Sequence, residues 1–274
     1  MRCIIVGCQR SGTTLLRHVL SEGSVFIFDE NWIASYLYRE RFHANQWRGL
    51  GWEFDDEDTD IWDKKAQQFL WDTYHAYFRK VKAPHHVAWG MKSPGFNMAC
   101  AIPYMAKLFA SLKFIYLVRD PRDTFASMER SKKMMNYLPR HFNRDSINSP
   151  DLVDLSQRPY EYWADVNREI LEHSSSMPDR FYTLRFEEWM EDPLAKTEAV
   201  CNFLNISFST SMLEPFTKRI SRSSVVSISK DDFASGNITV QKTAVGRWKR
   251  DLTSAQAEKV MRYSEDVARE VGYV

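Results

Sequence analysis

An α/β fold, one doubly wound parallel sheet flanked by helices within a single domain over residues 1–274, is what this sequence predicts, on two observations. Continuous apolar runs recur, at Cys3 to Gly7 and most strongly at Lys113 to Val118, as expected for strands buried on both faces. Segments of helical period lie between such runs along the whole chain, and strands alternating with helices imply parallel pairing through helical crossovers.

The elements follow in order. Cys3 to Gly7 ends in a Gly/Ser-rich turn, and Thr13 to Ser21 then sets Leu15, Leu16, Val19 and Leu20 at helical spacing. Val25 to Phe28 reads as a second strand, expected beside the first, ending in the acidic pair Asp29-Glu30. Residues 31–82 hold Trp32, Trp47, Trp52, Trp62 and Trp71 and the acidic run Glu53 to Asp58, and are predicted to be a helical insertion that forms part of an acceptor pocket. Buried aromatics and a solvated acidic face would give the same pattern. Strands are predicted at Val87 to Met91, Lys113 to Val118 and Arg180 to Leu184, with helices around Ala99 to Ala110 and Leu194 to Leu204. Asn136 to Pro159 and Ser207 to Lys242 lack periodicity and read as loops, with 207–250 a lid over the site, and Ser254 to Val271 is an amphipathic helix.

Composition narrows the function classes. Hydrophobic residues at 44% and charged residues at 27% are ordinary for a globular protein, which argues against a disordered chain or a membrane bundle. Thirty-seven basic and 36 acidic side chains leave a formal charge of +1, so no basic field marks a nucleic-acid partner and any anion site must be local. Cys3, Cys8, Cys100 and Cys201 are scattered, without a CxxC pair or a His cluster, and read as free thiols in a reducing compartment, not as a disulfide frame or metal site. No apolar run reaches about 18 residues. The expectation is a cytoplasmic protein with no membrane partner.

Gly7-Cys-Gln-Arg-Ser-Gly-Thr-Thr14 sets two glycines at the spacing of a phosphate-binding P-loop, between a strand and a helix, with Thr13 in place of the usual lysine. Backbone N–H groups and the positive helix end form an anion cradle there, and Arg10 can restore the missing charge as a planar bidentate donor. Without a ligand the same residues would be a plain strand-to-helix turn. Arg119-Asp-Pro-Arg-Asp-Thr-Phe-Ala-Ser127 follows a strand, so a strand-end arginine and a serine on the next helix can converge on one phosphate, although a solvated ion-paired corner would look alike. Thr183 to Pro193 places Arg185 and Phe186 after a strand, and Lys242-Thr-Ala-Val-Gly-Arg-Trp-Lys249 precedes the last helix.

Together and in this order these segments resemble the motifs of the sulfotransferases that use 3′-phosphoadenosine 5′-phosphosulfate (PAPS), in their bacterial and tyrosylprotein branches. The resemblance implies a P-loop-like fold, PAPS as donor with adenosine 3′,5′-bisphosphate (PAP) as product, and no required metal. It assigns Arg10, Ser11, Gly12, Thr13 and Thr14 to the 5′-phosphosulfate, and Arg119 and Ser127 to the 3′-phosphate. Phe186 is assigned to the adenine, and Lys242, Gly246, Arg247 and Trp248 to a lid over the 3′-phosphate. Gln241 and Thr243 depart from the cytosolic branch, where arginine and glycine are usual.

The catalytic residues implied are Glu30 as base, matching the acidic pair of the tyrosylprotein branch, and Lys92 and Arg10 as stabilising cations. The cytosolic branch has a histidine two residues after a lysine, where this chain reads Lys92-Ser93-Pro94. His85 and His86 lie at the other end of that strand and are expected to be surface residues. The activity implied is sulfuryl transfer to a hydroxyl or amine of a small-molecule acceptor, with a homodimer possible. The alternatives are a small-molecule kinase with a degenerate loop, protein-tyrosine or glycan sulfation, or a nucleotide-binding protein without catalysis.

Overall fold

The computed structural model describes residues 2–29, 33–35, 37–38, 56–131, 158–217 and 244–274. Five parallel strands, β1 (Cys3–Val6), β2 (Val25–Phe28), β3 (Ala88–Lys92), β4 (Lys113–Val118) and β5 (Phe181–Arg185), form one sheet in the order β2-β3-β1-β4-β5. The helices between them are α1 (Thr13–Ser21), α2 (Asp56–Val81), α3 (Phe96–Leu108), α4 (Pro121–Glu129) and α5 (Arg158–Ser176). After β5 come α6 (Phe186–Glu191), α7 (Pro193–Leu204), the short α8 (Glu214–Thr217) and α9 (Trp248–Asp251), and α10 (Ser254–Glu270).

Alternation along β1 divides the core. Ile4 and Val6 pack with Phe114, Tyr116, Trp89 and residues of α2, α3 and α5, while Cys3 and Ile5 pack with Ile115, Leu117 and residues of α1 and α7. Each such fully buried aliphatic side chain contributes about 1.5–3 kcal/mol, which is why the run of β1 is apolar throughout. Two elements explain their own starts: Asp120 caps α4 by accepting from the Arg122 N–H with Pro121 in the first turn, and Thr253 and Gln256 form a reciprocal capping box at α10.

Strand order corrects one expectation. The second strand does not neighbour the first, because β3 lies between them, with β2 paired to β3 from Val25↔Ala88 to Phe28↔Met91 and β3 paired to β1 at Ile5↔Lys92. The chain fills one side of β1 with β2 and β3 and the other with β4 and β5, so the loop after β1 sits where strand order reverses, the usual place for a ligand crevice.

Three more expectations are revised. Residues 158–176 form a helix that buries Tyr162, Trp163, Val166 and Ile170, so Pro159 belongs to a helix start and not to a loop. Within the region read as a lid, Thr210–Leu213 is a 3-10 turn leading into α8, and Met212 and Phe216 are core residues. His86 is buried, not at the surface; Nδ1 accepts from the Ala83 N–H at 3.0 Å, and Nε2 therefore donates to the Ser21 carbonyl at 2.7 Å. His85 is exposed.

Candidate functional site

The loop after β1 is shaped by close approach. A Cβ at Gly7 would lie 2.3 Å from the Leu117 carbonyl oxygen, and one at Gly12, whose φ is +105°, would lie 2.6 Å from the Phe186 ring. Neither position admits a side chain. Arg10 takes a left-handed φ of 72°, strained for a residue with a Cβ, and is held from two sides: its carbonyl accepts from Arg119 Nη1 at 3.1 Å, and its Nε donates to Ser127 Oγ at 3.1 Å.

Gly12 leaves α1 without a side-chain cap, so the helix end keeps its positive character toward the loop. The Ser11 hydroxyl is buried and has no hydrogen-bond partner among the described residues, and the same is true of Thr124 Oγ1 and Arg119 Nε. Buried donors left open beside a glycine cradle and a helix N-terminus fit an anionic group. Thr13 is buried, whereas Arg10, Gly12 and Thr14 keep part of their surface open.

Lys92 ends β3 and is 2% exposed. Its Nζ lies 2.6 Å from Asp29 Oδ1, just past the end of β2, and donates at 3.4 Å to Thr14 Oγ1. Arg17, on α1 and also buried, brings Nε to 3.9 Å from the same carboxylate oxygen. Burial pulls the Arg17 guanidinium below its usual range, and Asp29 opposes that shift. Two cations from separate elements thus meet the carboxylate side of the phosphate loop.

The Arg119 side is closed by protein. Its guanidinium donates to the carbonyls of Arg10 and Ala244, lies 4.8 Å from the Phe186 ring centre, and has Asp123 at 3.9 Å. Desolvation lowers its pKa, with Asp123 and Glu187 countering. Asp123, 1% exposed, accepts from the backbone N–H of Gly246 at 2.7 Å and of Trp248 at 2.9 Å, which staples the C-terminal turn onto α4. Burial nevertheless raises its carboxyl above the ordinary range, those two hydrogen bonds and Arg119 acting against the rise. Arg122 stacks 4.3 Å above the Trp248 ring while paired with Asp120.

The structure therefore brings Lys92, Arg119 and Ser127 against the loop that holds Arg10, Ser11, Gly12, Thr13 and Thr14, with Gly246 and Trp248 attached through Asp123. Arg247 is turned to Asp251, at 2.7 Å. Phe186 is 4% exposed, a core ring packed against Gly12 and under Arg119, so it supports the loop instead of offering the open face that stacking requires. Glu30 and Lys242 lie outside the described residues, as do Trp32, Trp47 and Trp52. Sequence reading missed Asp123, Arg17 and the pairing of Asp29 with Lys92. A carboxylate in the first turn of α4, inside the Arg119 to Ser127 stretch, was the available signal for the first. Also missed was the clamp on Gln9, whose Oε1 accepts from Tyr162 and whose side chain fills the space beside Gly95.

Among the described residues no group of His, Cys, Asp and Glu could hold a metal ion, and no helix is long and apolar enough to cross a membrane.

Known proteins agree on the frame. The sulfotransferase domain of the curacin biosynthetic pathway is 21% identical, with a TM-score of 0.63 over 99% of this chain and 97% of that one. The sulfotransferase domain of the Synechococcus PCC 7002 olefin synthase is 18% identical, with a TM-score of 0.61 over 97% and 94%. Mouse sulfotransferase SULT7A1, solved with PAP, is 16% identical, with a TM-score of 0.52 over 98% and 85%. At these identities the likeness is one of fold. A Caenorhabditis briggsae protein provisionally named a protein-tyrosine sulfotransferase is 25% identical over 214 residues, 76% of this chain, and the chain spans 66% of that relative's length. Residues 3–210 match the family described as "Sulfotransferase family", and this chain belongs to it.

Proposed function

We propose that this protein is a PAPS-dependent sulfotransferase that acts on a hydroxyl or amine of a small acceptor molecule. The observation that carries the reading is the substitution of cations around the phosphate loop. Thr13 stands where a triphosphatase has its lysine, and positive charge is supplied instead by Arg10 within the loop and by Lys92 from β3. The PAP in the mouse relative's structure supports the same donor here. Bound PAPS supplies the sulfuryl group, joined to its 5′-phosphate through a bridging oxygen.

Residues of this chain divide the remaining work. Backbone N–H groups at the start of α1, the open Ser11 hydroxyl and Arg10 hold the 5′ end, and Arg119 and Ser127 define the 3′-phosphate end, with Lys242 closing over it. The Lys92 ammonium neutralises charge on the bridging oxygen as its bond to sulfur breaks, and Glu30 takes the proton from the acceptor as the new bond to sulfur forms. The charge stabilisation is assigned to these side chains, and no step calls for a metal.

Residues 31–82 are assigned to part of the acceptor pocket, and residues 244–251 to a lid fastened by Asp123. The name of the nematode relative makes a protein tyrosine the alternative acceptor. Glu30→Gln is expected to abolish turnover while leaving PAP affinity near that of the unmodified protein, measured by calorimetry. Loss of PAP binding in that variant would make Glu30 a structural residue.

A further inference from the structure

We propose that Asp29 is a positioning residue whose carboxylate, shared between two buried cations, fixes the Lys92 ammonium beside the Thr14 hydroxyl of the phosphate loop. The inference deepens the reading above, since it rests on Lys92 taking part in sulfuryl transfer. Sheet register is its starting point. Phe28 pairs with Met91, so Asp29, just past the end of β2, and Lys92, the last residue of β3, follow the last paired residues at the same end of the sheet. The backbone thus brings the two residues side by side.

Burial supplies the need for it. The Lys92 side chain is 3% exposed and Arg17 lies under the same carboxylate with its side chain 9% exposed, and ammonium and guanidinium groups at such depth require a counter-charge. Asp29 provides one for both, 2.6 Å from Lys92 and 3.9 Å from Arg17, while 44% of its own side chain remains open. Lys92 also donates to Thr14 at 3.4 Å, which ties this pair to the first turn of α1. Removing the carboxylate would take away the ion pair that sets Lys92 against the end of β2. An oxygen that already accepts a hydrogen bond from the Lys92 ammonium, with Arg17 behind it, serves as a counter-ion and is a poor base toward an acceptor. Asp29 and Glu30 therefore divide the acidic pair: one sets the cation and the other serves as base.

A double-mutant cycle with Asp29→Asn and Lys92→Met tests the assignment. If Asp29 acts through Lys92, each single change lowers kcat by about 10- to 100-fold, as expected for a misplaced catalytic group. The double variant is then no slower than Lys92→Met alone, and Asp29→Glu, which keeps the carboxylate, recovers part of the loss. Additive losses, or a slower Asp29→Asn than Lys92→Met, would overturn the proposal and make Asp29 a residue that meets substrate directly. The melting midpoint gives a readout independent of turnover. Asp29→Asn removes the counter-charge that Lys92 and Arg17 share and is expected to lower the midpoint by about 4–10 °C, while adding Lys92→Met restores part of it. Independent effects on the midpoint would also refute the pairing. Failure of the functional reading looks different: the unmodified protein would transfer no sulfuryl group from PAPS, while the stability cycle would still report whether Asp29 and Lys92 are coupled.

Discussion

Gly12→Ala should damage both the fold and the phosphate loop, by an amount that follows from two contacts. At φ +105° and ψ 7° an alanine sits in backbone space that a Cβ disfavours, which costs about 1–2 kcal/mol. The added methyl would also lie 2.6 Å from Cδ2 and 2.7 Å from Cε2 of Phe186, a ring that cannot retreat because it is 4% exposed and lies under the Arg119 guanidinium. Overpacking of that kind costs about 1–3 kcal/mol. The combined loss is about 2–5 kcal/mol, or a fall of about 4–15 °C in melting temperature for a chain of this size. Calorimetric melting and a PAP titration read the two effects separately. If the ring holds its place the protein loses stability, and if the loop yields instead, PAP affinity falls with a smaller change in Tm. Adding Phe186→Leu to Gly12→Ala should recover part of the loss, since it relieves the contact and leaves the backbone strain. A Gly12→Ala protein with unchanged melting and unchanged PAP affinity would refute the reasoning.

The remaining predictions concern the supports of the site. Asp123→Ala frees the Gly246 and Trp248 N–H groups and removes the carboxylate nearest the buried Arg119; urea unfolding should show a loss of about 3 kcal/mol or more, with faster PAP dissociation. Tyr273→Phe deletes the hydrogen bond that the phenol donates to Glu187 at 2.5 Å, whose other oxygen accepts from the Asp120 N–H; chemical denaturation should record about 2 kcal/mol. His86 is held neutral, its pKa lowered from 6.5 chiefly by burial. Its contribution is complete above pH 6.5 and is lost as pH falls from there toward the lower folded value, so the urea midpoint should drop more steeply below pH 6.5 than that of His86→Gln. Equal slopes for the two proteins would remove His86 as the cause.

Local chemistry was legible in the sequence and long-range placement was not. The apolar runs of β1 and β4 and the glycines of the first loop declare themselves, because a strand buried on two faces is largely apolar and a backbone position where a Cβ would lie 2.3 Å from a carbonyl oxygen requires glycine. Strand order is a property of crossovers, so nothing local to β2 could show that β3 separates it from β1. The pairing of Asp29 with Lys92 depends on that order and was hidden with it. The packing of Phe186 was hidden for a related reason: a ring after a strand can face a ligand or the core, and the sequence does not show that Gly12 and Arg119 pack against it. For His86 the partner is Ser21, 65 residues earlier in the chain, and burial at that distance leaves no trace in the residues around it.

Transfer of label to an acceptor panel, from sulfur-labelled PAPS in one series and from ATP labelled on its terminal phosphate in the other, is the most direct measurement of the donor. The cation arrangement around Thr13 predicts labelled sulfate on an acceptor hydroxyl or amine from PAPS and no phosphoryl transfer from ATP. Labelled phosphate from ATP, with none transferred from PAPS, would contradict it.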